Sequence, residues 1–205
     1  MMTVMVAMLI SAEPAAWKKV EEADGITIES RPVEGSSLVE LRLTQEVKAD
    51  AMRLCDEVFG TGKFDSEEPD LKSRKVLQQS ENERVTYDQM QPPIVSNRDF
   101  AVRAKRERRD DGSCTMSFAL ANELAPKAPE GYVRLAMLKG YWTFTPSGEG
   151  KTKLIYVVHS DPGGSIPAFM MEGTRRKIAV KWIQLMVGRA QKPAKVTGAP
   201  VDAGT

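Results

Sequence analysis

Apolar and polar residues alternate with a period of two along much of this chain, which is the pattern of half-buried β-strands. The alternation predicts a first hairpin formed by Ile26 to Val33 and Ser37 to Val47, with turn chemistry between them. It predicts six further strands: Leu71 to Gln79, Glu83 to Met90, Arg98 to Arg108, Cys114 to Ala121, Tyr132 to Thr145 and Lys151 to Ser160. The alternation slips by one position near Lys139-Gly140, and we expect a β-bulge there.

Three- and four-residue spacing of apolar positions predicts three helices. The first runs from Glu13 to Ala23, the second from Ala49 to Phe59, and the third from about Ala168 to Ala190. Together with the strands, these helices indicate an α+β fold in which a curved antiparallel sheet has one long C-terminal helix to cover its concave face. The side chains that face inward are modest in volume, which predicts an incompletely filled apolar interior.

Composition narrows the function classes. A chain of 205 residues suits one domain, and its net charge of +1 gives no general attraction to nucleic acid. Cys55 and Cys114 are far apart in sequence, which excludes a disulfide-rich scaffold and argues against a zinc cluster. A single histidine, His159, excludes a multi-histidine metal site. We therefore expect no metal and no cofactor.

The two ends of the chain differ from its middle. Residues 1–14 are apolar and typical either of the hydrophobic part of a secretory signal peptide or of an apolar N-terminal extension. This segment slightly favours a periplasmic or secreted location over the cytoplasm. Residues 191–205 are rich in Pro, Gly and Ala and are predicted to be a flexible tail, which leaves residues 15–190 as the folded domain.

Five short segments resemble one family when their order and spacing are taken together: Asp24-Gly25-Ile26, Tyr87-Asp88-Gln89-Met90, Val95-Ser96-Asn97-Arg98-Asp99-Phe100, Gly131-Tyr132-Val133-Arg134 and Asp161-Pro162-Gly163-Gly164-Ser165-Ile166-Pro167. From roughly Trp17 to Arg189 the chain resembles a START domain, the lipid-transfer module of the helix-grip superfamily, in its single-domain bacterial form. The resemblance implies a sheet wrapped around the C-terminal helix, a hydrophobic cavity for one lipid molecule, and no catalysis.

Alternation and helical spacing predict which residues bind the ligand. Residues Phe100, Val102, Ala104, Met116, Phe118, Phe169, Met170 and Gly173 are predicted to line the cavity. Asp88 matches a cavity acid that the resemblance pairs with an arginine, but Ala104 occupies the position where that arginine is expected. Arg106 lies one step further along the same face, and we predict that it takes the missing arginine's place.

Two segments are predicted to open for ligand exchange. Pro92, Pro93 and Ile94 lie in the loop from Gln91 to Ser96 and form a stiff flap. Gly163 and Gly164 precede the final helix and provide a hinge.

The functional prediction is non-catalytic binding, and transfer, of one lipid or other hydrophobic molecule by a monomer that contacts membrane surfaces transiently and binds no nucleic acid. The first alternative is an enzyme like the polyketide cyclases and aromatases of the same superfamily, and the second is an interaction domain with a vestigial cavity. The sequence does not choose between sterol, phospholipid, fatty acid and carotenoid as the ligand.

Overall fold

The computed structural model describes residues 15–60, 62–92, 95–163 and 168–192, without the side chains of 168–170. Within these ranges the chain forms two α-helices, α1 (Ala51–Phe59) and α2 (Ala168–Gln191), and a short 3₁₀ turn, Asn122–Leu124. It also forms ten strands: β1 (Lys18–Ala23), β2 (Ile26–Arg31), β3 (Glu40–Val47), β4 (Leu71–Gln79), β5 (Glu83–Met90), β6 (Asn97–Arg108), β7 (Cys114–Leu120), β8 (Tyr132–Arg134), β9 (Met137–Gly148) and β10 (Lys151–Asp161). The predicted apolar segment 1–14 and nearly all of the predicted tail lie outside the described residues.

The strands form one curved sheet in the order β1-β2-β3-β10-β9-β7-β6-β5-β4. All neighbours in this order are antiparallel, and β8 adds a short parallel pairing to the start of β6. The predicted α+β helix-grip fold is therefore confirmed. No helix in the described ranges has the length and apolar composition needed to span a bilayer.

The first predicted helix is wrong, because residues 18–23 form strand β1 paired with β2. Asp24 and Gly25 both have positive φ angles, of 53° and 74°, and form the tight turn between these strands. Asp-Gly is a strong signal for a two-residue hairpin. β1 is an edge strand with nearly all of its side chains exposed, so it lacks the alternation that would have marked it as a strand.

The predicted strand from Tyr132 to Thr145 is two strands, β8 and β9, and the bulge expected at Lys139-Gly140 is wrong. Lys139 and Gly140 pair in unbroken register with His159 and Val158. The alternation slips because the chain leaves the pairing with β6 after Arg134 and starts a new strand at Met137. Gly140 is required for another reason: a Cβ at this position would lie 2.6 Å from the Phe118 ring and would overlap the Val157 carbonyl.

Packing is dense at one end of the concave face, where α1 and α2 cover β2, β3, β9 and β10. Asp50 caps α1 by accepting a hydrogen bond from the Arg53 amide at 2.8 Å. The core at this end contains Ile26, Leu41, Leu43, Leu54, Phe144, Leu154, Ile183 and Val187. Cys55 of α1 and Cys114 of β7 form a buried disulfide across 59 residues of sequence, a contact that their separation along the chain had concealed.

Two glycine substitutions test the packing at Gly140. We expect Gly140→Ala to lower the free energy of unfolding by at least about 2 kcal/mol, because the added methyl group overlaps backbone that cannot move aside. Gly173→Ala is the control, since in the middle of α2 its Cβ would meet no atom of the described structure within 4 Å apart from the backbone of the helix itself. It should raise stability by roughly 0.5–1 kcal/mol through helix propensity. Urea unfolding measures both, and equal stabilities would contradict the assigned packing.

Removing the disulfide should destabilise the fold. We expect the double variant Cys55→Ala/Cys114→Ala to lose about 2–4 kcal/mol of unfolding free energy, because the cross-link restricts a long loop in the unfolded chain. Thiol reductant should then leave the melting temperature of this variant unchanged while lowering that of the native protein. The native protein can also be denatured without reductant and treated with a thiol-labelling reagent. Full labelling of Cys55 and Cys114 would show that the disulfide does not form.

Candidate functional site

A cavity of about 920 Å³ lies between the concave face of the sheet and α2, at the end that the core does not fill. Its walls are mainly apolar and come from β5, β6, β7, β9, β10 and the inner face of α2. They include Phe100, Val102, Ala104, Met116, Phe118, Trp142, Tyr156, Val158, Ile178 and Trp182. The Trp142 ring stacks on Tyr156 with centroids 3.8 Å apart. Burial raises the pKa of the Tyr156 phenol further above neutral pH, where this group is protonated in any case.

Four charged side chains occupy one region of this wall, on β4, β5 and the segment before them; we call Glu68, Arg74, Arg84 and Asp88 the charged corner. Arg74 donates two hydrogen bonds to the carboxylate of Asp88, at 2.8 and 2.7 Å, and one to Glu68 at 2.7 Å. Asp88 is only 3 % exposed. A buried carboxylate is tolerated when it is paired in this way, and the two-pronged geometry fixes both side chains.

Hydrogen-bonding capacity remains unused in the charged corner. Arg84 donates to the Gly60 carbonyl at 2.9 Å, but its Nε and the Oε2 atom of Glu68 are buried without a hydrogen-bond partner among the described residues. Burial raises the pKa of Glu68, although Arg74 acts against this. Burial, with the nearby charge of Arg74, lowers the pKa of Arg84 to about 10. The charged corner thus contains two carboxyl groups and two guanidinium groups. Because two of their atoms lack a hydrogen-bond partner among the described residues, it could accept a polar group of a ligand.

Arg98 holds together the two segments that lead into the cavity from the opposite side. Its guanidinium donates to the carbonyls of Pro162 at 2.6 Å and Gly163 at 3.1 Å, and also to that of Ser96. The neighbouring Asp99 points to the other face of β6, where it accepts hydrogen bonds from Tyr87 and Arg134. Arg98 thus joins the end of the loop after β5 to the segment that precedes α2.

Several predicted binding residues lie in the cavity wall: Asp88, Phe100, Val102, Ala104, Met116 and Phe118. Pro92 lies there as well, and their contact with a ligand stays a prediction. The side chains of Phe169 and Met170, together with Pro93, Ile94 and Gly164, lie outside the described residues. Gly163 has a φ of 71° and donates its amide hydrogen to Asp161, so it forms a turn at the predicted hinge.

Two predicted residues lie elsewhere. Arg106 is outside the cavity lining and donates to Asp56 and to the Glu81 carbonyl, so the prediction that it pairs with Asp88 is wrong. Gly173 is also outside the lining. The cavity face of α2 is instead formed by Met171, Arg175, Ile178 and Trp182. The prediction placed Gly173 on the cavity face because apolar residues cover more than half of this helix and do not mark a single face.

Arg74 was not predicted as the partner of Asp88, because their pairing depends on an irregularity in β4. Gln79 pairs with Arg84, and a regular register from there would place Lys75 opposite Asp88. The register shifts between Val76 and Gln78, which moves Arg74 into that position. Trp142, Tyr156 and Arg175 were also missed. The alternation of β9 and β10 contained a signal for the first two, once β9 is read as starting at Met137.

Known proteins share this arrangement of a curved sheet and a C-terminal helix. The START domain family model matches residues 2–195. The crystal structure of a STAR-related lipid transfer protein from Xanthomonas axonopodis superimposes with a TM-score of 0.76 at 26 % identity, covering 86 % of this chain and 99 % of that one. The phosphatidylcholine transfer protein of Mus musculus is 23 % identical over 187 residues, 89 % of this chain and 87 % of its own. The Zhui aromatase/cyclase from a Streptomyces species shares the fold, with a TM-score of 0.56 at 12 % identity over 78 % of this chain and 98 % of that one.

Removing one partner of the buried ion pair should be costly. We expect Arg74→Met to lose about 3–5 kcal/mol of unfolding free energy, because it leaves Asp88 buried without its counter-charge. The double variant Arg74→Met/Asp88→Leu should recover most of this loss. The control is Arg103→Met, which breaks an exposed pair with Glu83 at 3.3 Å and should cost less than about 1 kcal/mol. Chemical denaturation compares the four proteins, and a loss in Arg74→Met no larger than in the control would contradict the role of the pair.

Proposed function

The chain belongs to the START domain family, and from this premise we propose that it binds one lipid or similar hydrophobic molecule in its internal cavity. The observation that carries the proposal is the cavity of about 920 Å³, whose wall is mainly apolar. This volume is at the upper end of the range for small-molecule sites, roughly 300–1,000 Å³. Burial of a hydrocarbon chain against these walls supplies the driving force.

The wall favours one orientation of the ligand at the charged corner. A hydroxyl, ester or phosphate oxygen placed there accepts a hydrogen bond from Nε of Arg84, and a hydroxyl can also donate one to Oε2 of Glu68. Neither atom has a partner among the described residues. The hydrocarbon then lies against Phe100, Met116 and Trp142. A buried polar group without a partner costs about 1–3 kcal/mol, so a ligand that completes these hydrogen bonds is selected over one that does not.

Transfer between membranes is the biological role that we propose for this binding. It is supported by relatives named as lipid transfer proteins, one from Xanthomonas axonopodis and one from Mus musculus that is named for phosphatidylcholine. The ligand must pass a gate, and we assign it to the loop 91–96 and the segment before α2, which Arg98 holds together. Contact with a membrane would open this gate because lipid phosphate groups compete with these carbonyls for the Arg98 guanidinium.

Catalysis is disfavoured by the titratable groups in the wall. Asp88 and Glu68 are both fixed by hydrogen bonds from Arg74, and His159 is not part of the lining. The likeness to an aromatase/cyclase is one of fold. The open volume argues against an interaction domain with a vestigial cavity. We also infer an oxidising compartment, since a buried disulfide such as Cys55–Cys114 persists there.

Filling the cavity should abolish binding. We expect the gently purified native protein to carry one lipid molecule in native mass spectrometry, and Ala104→Trp to carry none, because the indole occupies the space of the ligand. Ala119→Trp is the matched control, since Ala119 lies exposed on the outer face of β7. Circular dichroism establishes that both variants fold. A folded Ala104→Trp protein that carries lipid at the native stoichiometry would overturn the proposed site.

Loosening the gate should accelerate exchange. We expect Arg98→Met to raise the rate of lipid transfer between donor and acceptor vesicles several-fold while one-to-one binding persists, because it frees the carbonyls of Ser96, Pro162 and Gly163. Arg103→Met removes an arginine from the opposite face of β6, where it pairs with the partly exposed Glu83, and serves as the control. Transfer at the native rate by a folded Arg98→Met protein would place the gate elsewhere.

A further inference from the structure

Arg175 is a buried cation in the cavity wall that forms no direct ion pair with a carboxylate among the described residues. It lies on α2, is 6 % exposed, and forms part of the lining. Its Nε donates to the Ser160 hydroxyl at 3.2 Å and its Nη2 to the Val39 carbonyl at 2.9 Å. Nη1 is buried and has no partner among the described residues. None of these hydrogen bonds goes to a carboxylate.

This environment differs from that of Arg74, which is buried to a similar degree. Arg74 donates to two carboxylates, whereas Arg175 donates to a hydroxyl and a carbonyl, both neutral. Burial lowers the pKa of Arg175, and the more distant charges of Glu172 and Asp161 only partly oppose this. A guanidinium remains protonated even so, and a buried charge without a counter-ion costs several kcal/mol.

Arg175 also contacts a different strand of the sheet from those that carry the charged corner. Its partner Ser160 is on β10, and three strands, β9, β7 and β6, separate β10 from the β5 strand that carries Asp88. At a spacing of 4.7–4.9 Å per strand, the two positions are about 19 Å apart measured along the sheet. The wall also includes Val158 and Ile178, beside the polar Ser160 and Thr174. A ligand in this cavity therefore meets a second polar position, separate from the charged corner.

We propose that Arg175 binds a carboxylate of the ligand, so that the protein selects amphiphiles with a carboxyl group, such as long-chain acids, over their neutral esters. The inference deepens the proposed function and rests on it. One positive charge suits a single negative charge, and Nε and Nη2 already donate to Ser160 and Val39, which leaves Nη1 with its two N–H groups as the donor position. A carboxylate, with one charge and a small head, fits that position better than a phosphate, which requires several donors.

The test compares an acid with its ester in delipidated protein. Dodecanoate and methyl dodecanoate at pH 8 each displace the neutral fluorophore N-phenyl-1-naphthylamine, which gives their relative affinities. We expect the native protein to bind the acid about 10-fold or more tightly than the ester, which is the size of effect expected for a charge-assisted hydrogen bond. Arg175→Met should bind both equally, through weaker binding of the acid alone. Arg175→Lys, which keeps the charge, should retain most of the preference.

Two further variants complete the design. Arg176→Met removes the neighbouring arginine, which pairs with Glu21 and lies outside the lining, and should keep the native preference. Arg175→Gln keeps polar contact without charge and should behave as Arg175→Met, so that the result does not depend on one variant folding. Two results would overturn the role of Arg175: equal binding of acid and ester by the native protein, or a preference for the acid that persists in Arg175→Met and Arg175→Gln. In either case, binding of the ester would still support the cavity as the binding site. Failure of both probes to displace the fluorophore would overturn the proposed function as well.

Discussion

The constraint on which this structure depends is that a strongly curved ten-stranded sheet has more concave surface than its two helices can cover. α1 and one face of α2 pack against β2, β3, β9 and β10, where Ile183 and Leu154 are fully buried. The other face of α2 looks toward β5, β6 and β7 across open space. Protein interiors are normally packed as densely as organic crystals, and side chains that line a void lose dispersion contacts. The fold therefore retains an interior that a bound molecule can complete.

Charge inside this interior is distributed unevenly, and the distribution gives the cavity its chemistry. Asp88 can be buried because a shift in the register of β4 brings Arg74 opposite to it. Arg84 and Glu68 lie beside that pair with hydrogen-bonding capacity to spare. Arg175, on the other side of the cavity, has no carboxylate among its hydrogen-bond partners in the described structure. Apolar surface provides the affinity for a hydrocarbon, and these polar positions determine which headgroups are compatible with it.

The features that the sequence predicted well are those encoded locally. β4 and β5 have the predicted bounds, and α2 begins at the predicted residue, because alternation and helical spacing are properties of adjacent positions. The errors concern residues whose environment depends on distant parts of the chain. β1 is an edge strand that buries few side chains, so its sequence does not alternate. The register shift that places Arg74 opposite Asp88 has no marker in the sequence. Cys55 and Cys114 come together only when α1 packs against β7. The orientation of α2 was ambiguous because one of its apolar faces enters the core while the other lines the cavity.

The double role of α2 also limits how the cavity can open. Ala179, Ile183, Val187 and Ala190 bury the C-terminal half of the helix in the core. Moving this half as a rigid body would expose that surface to water at a cost of about 25 cal/mol per Å², in addition to breaking the contacts with α1. Pro162 and Gly163, before α2, are held by Arg98, whose guanidinium can bind water or a lipid phosphate instead. Opening at the proposed gate would leave the core intact, so the same helix would anchor the fold at one end and border the ligand's entrance at the other.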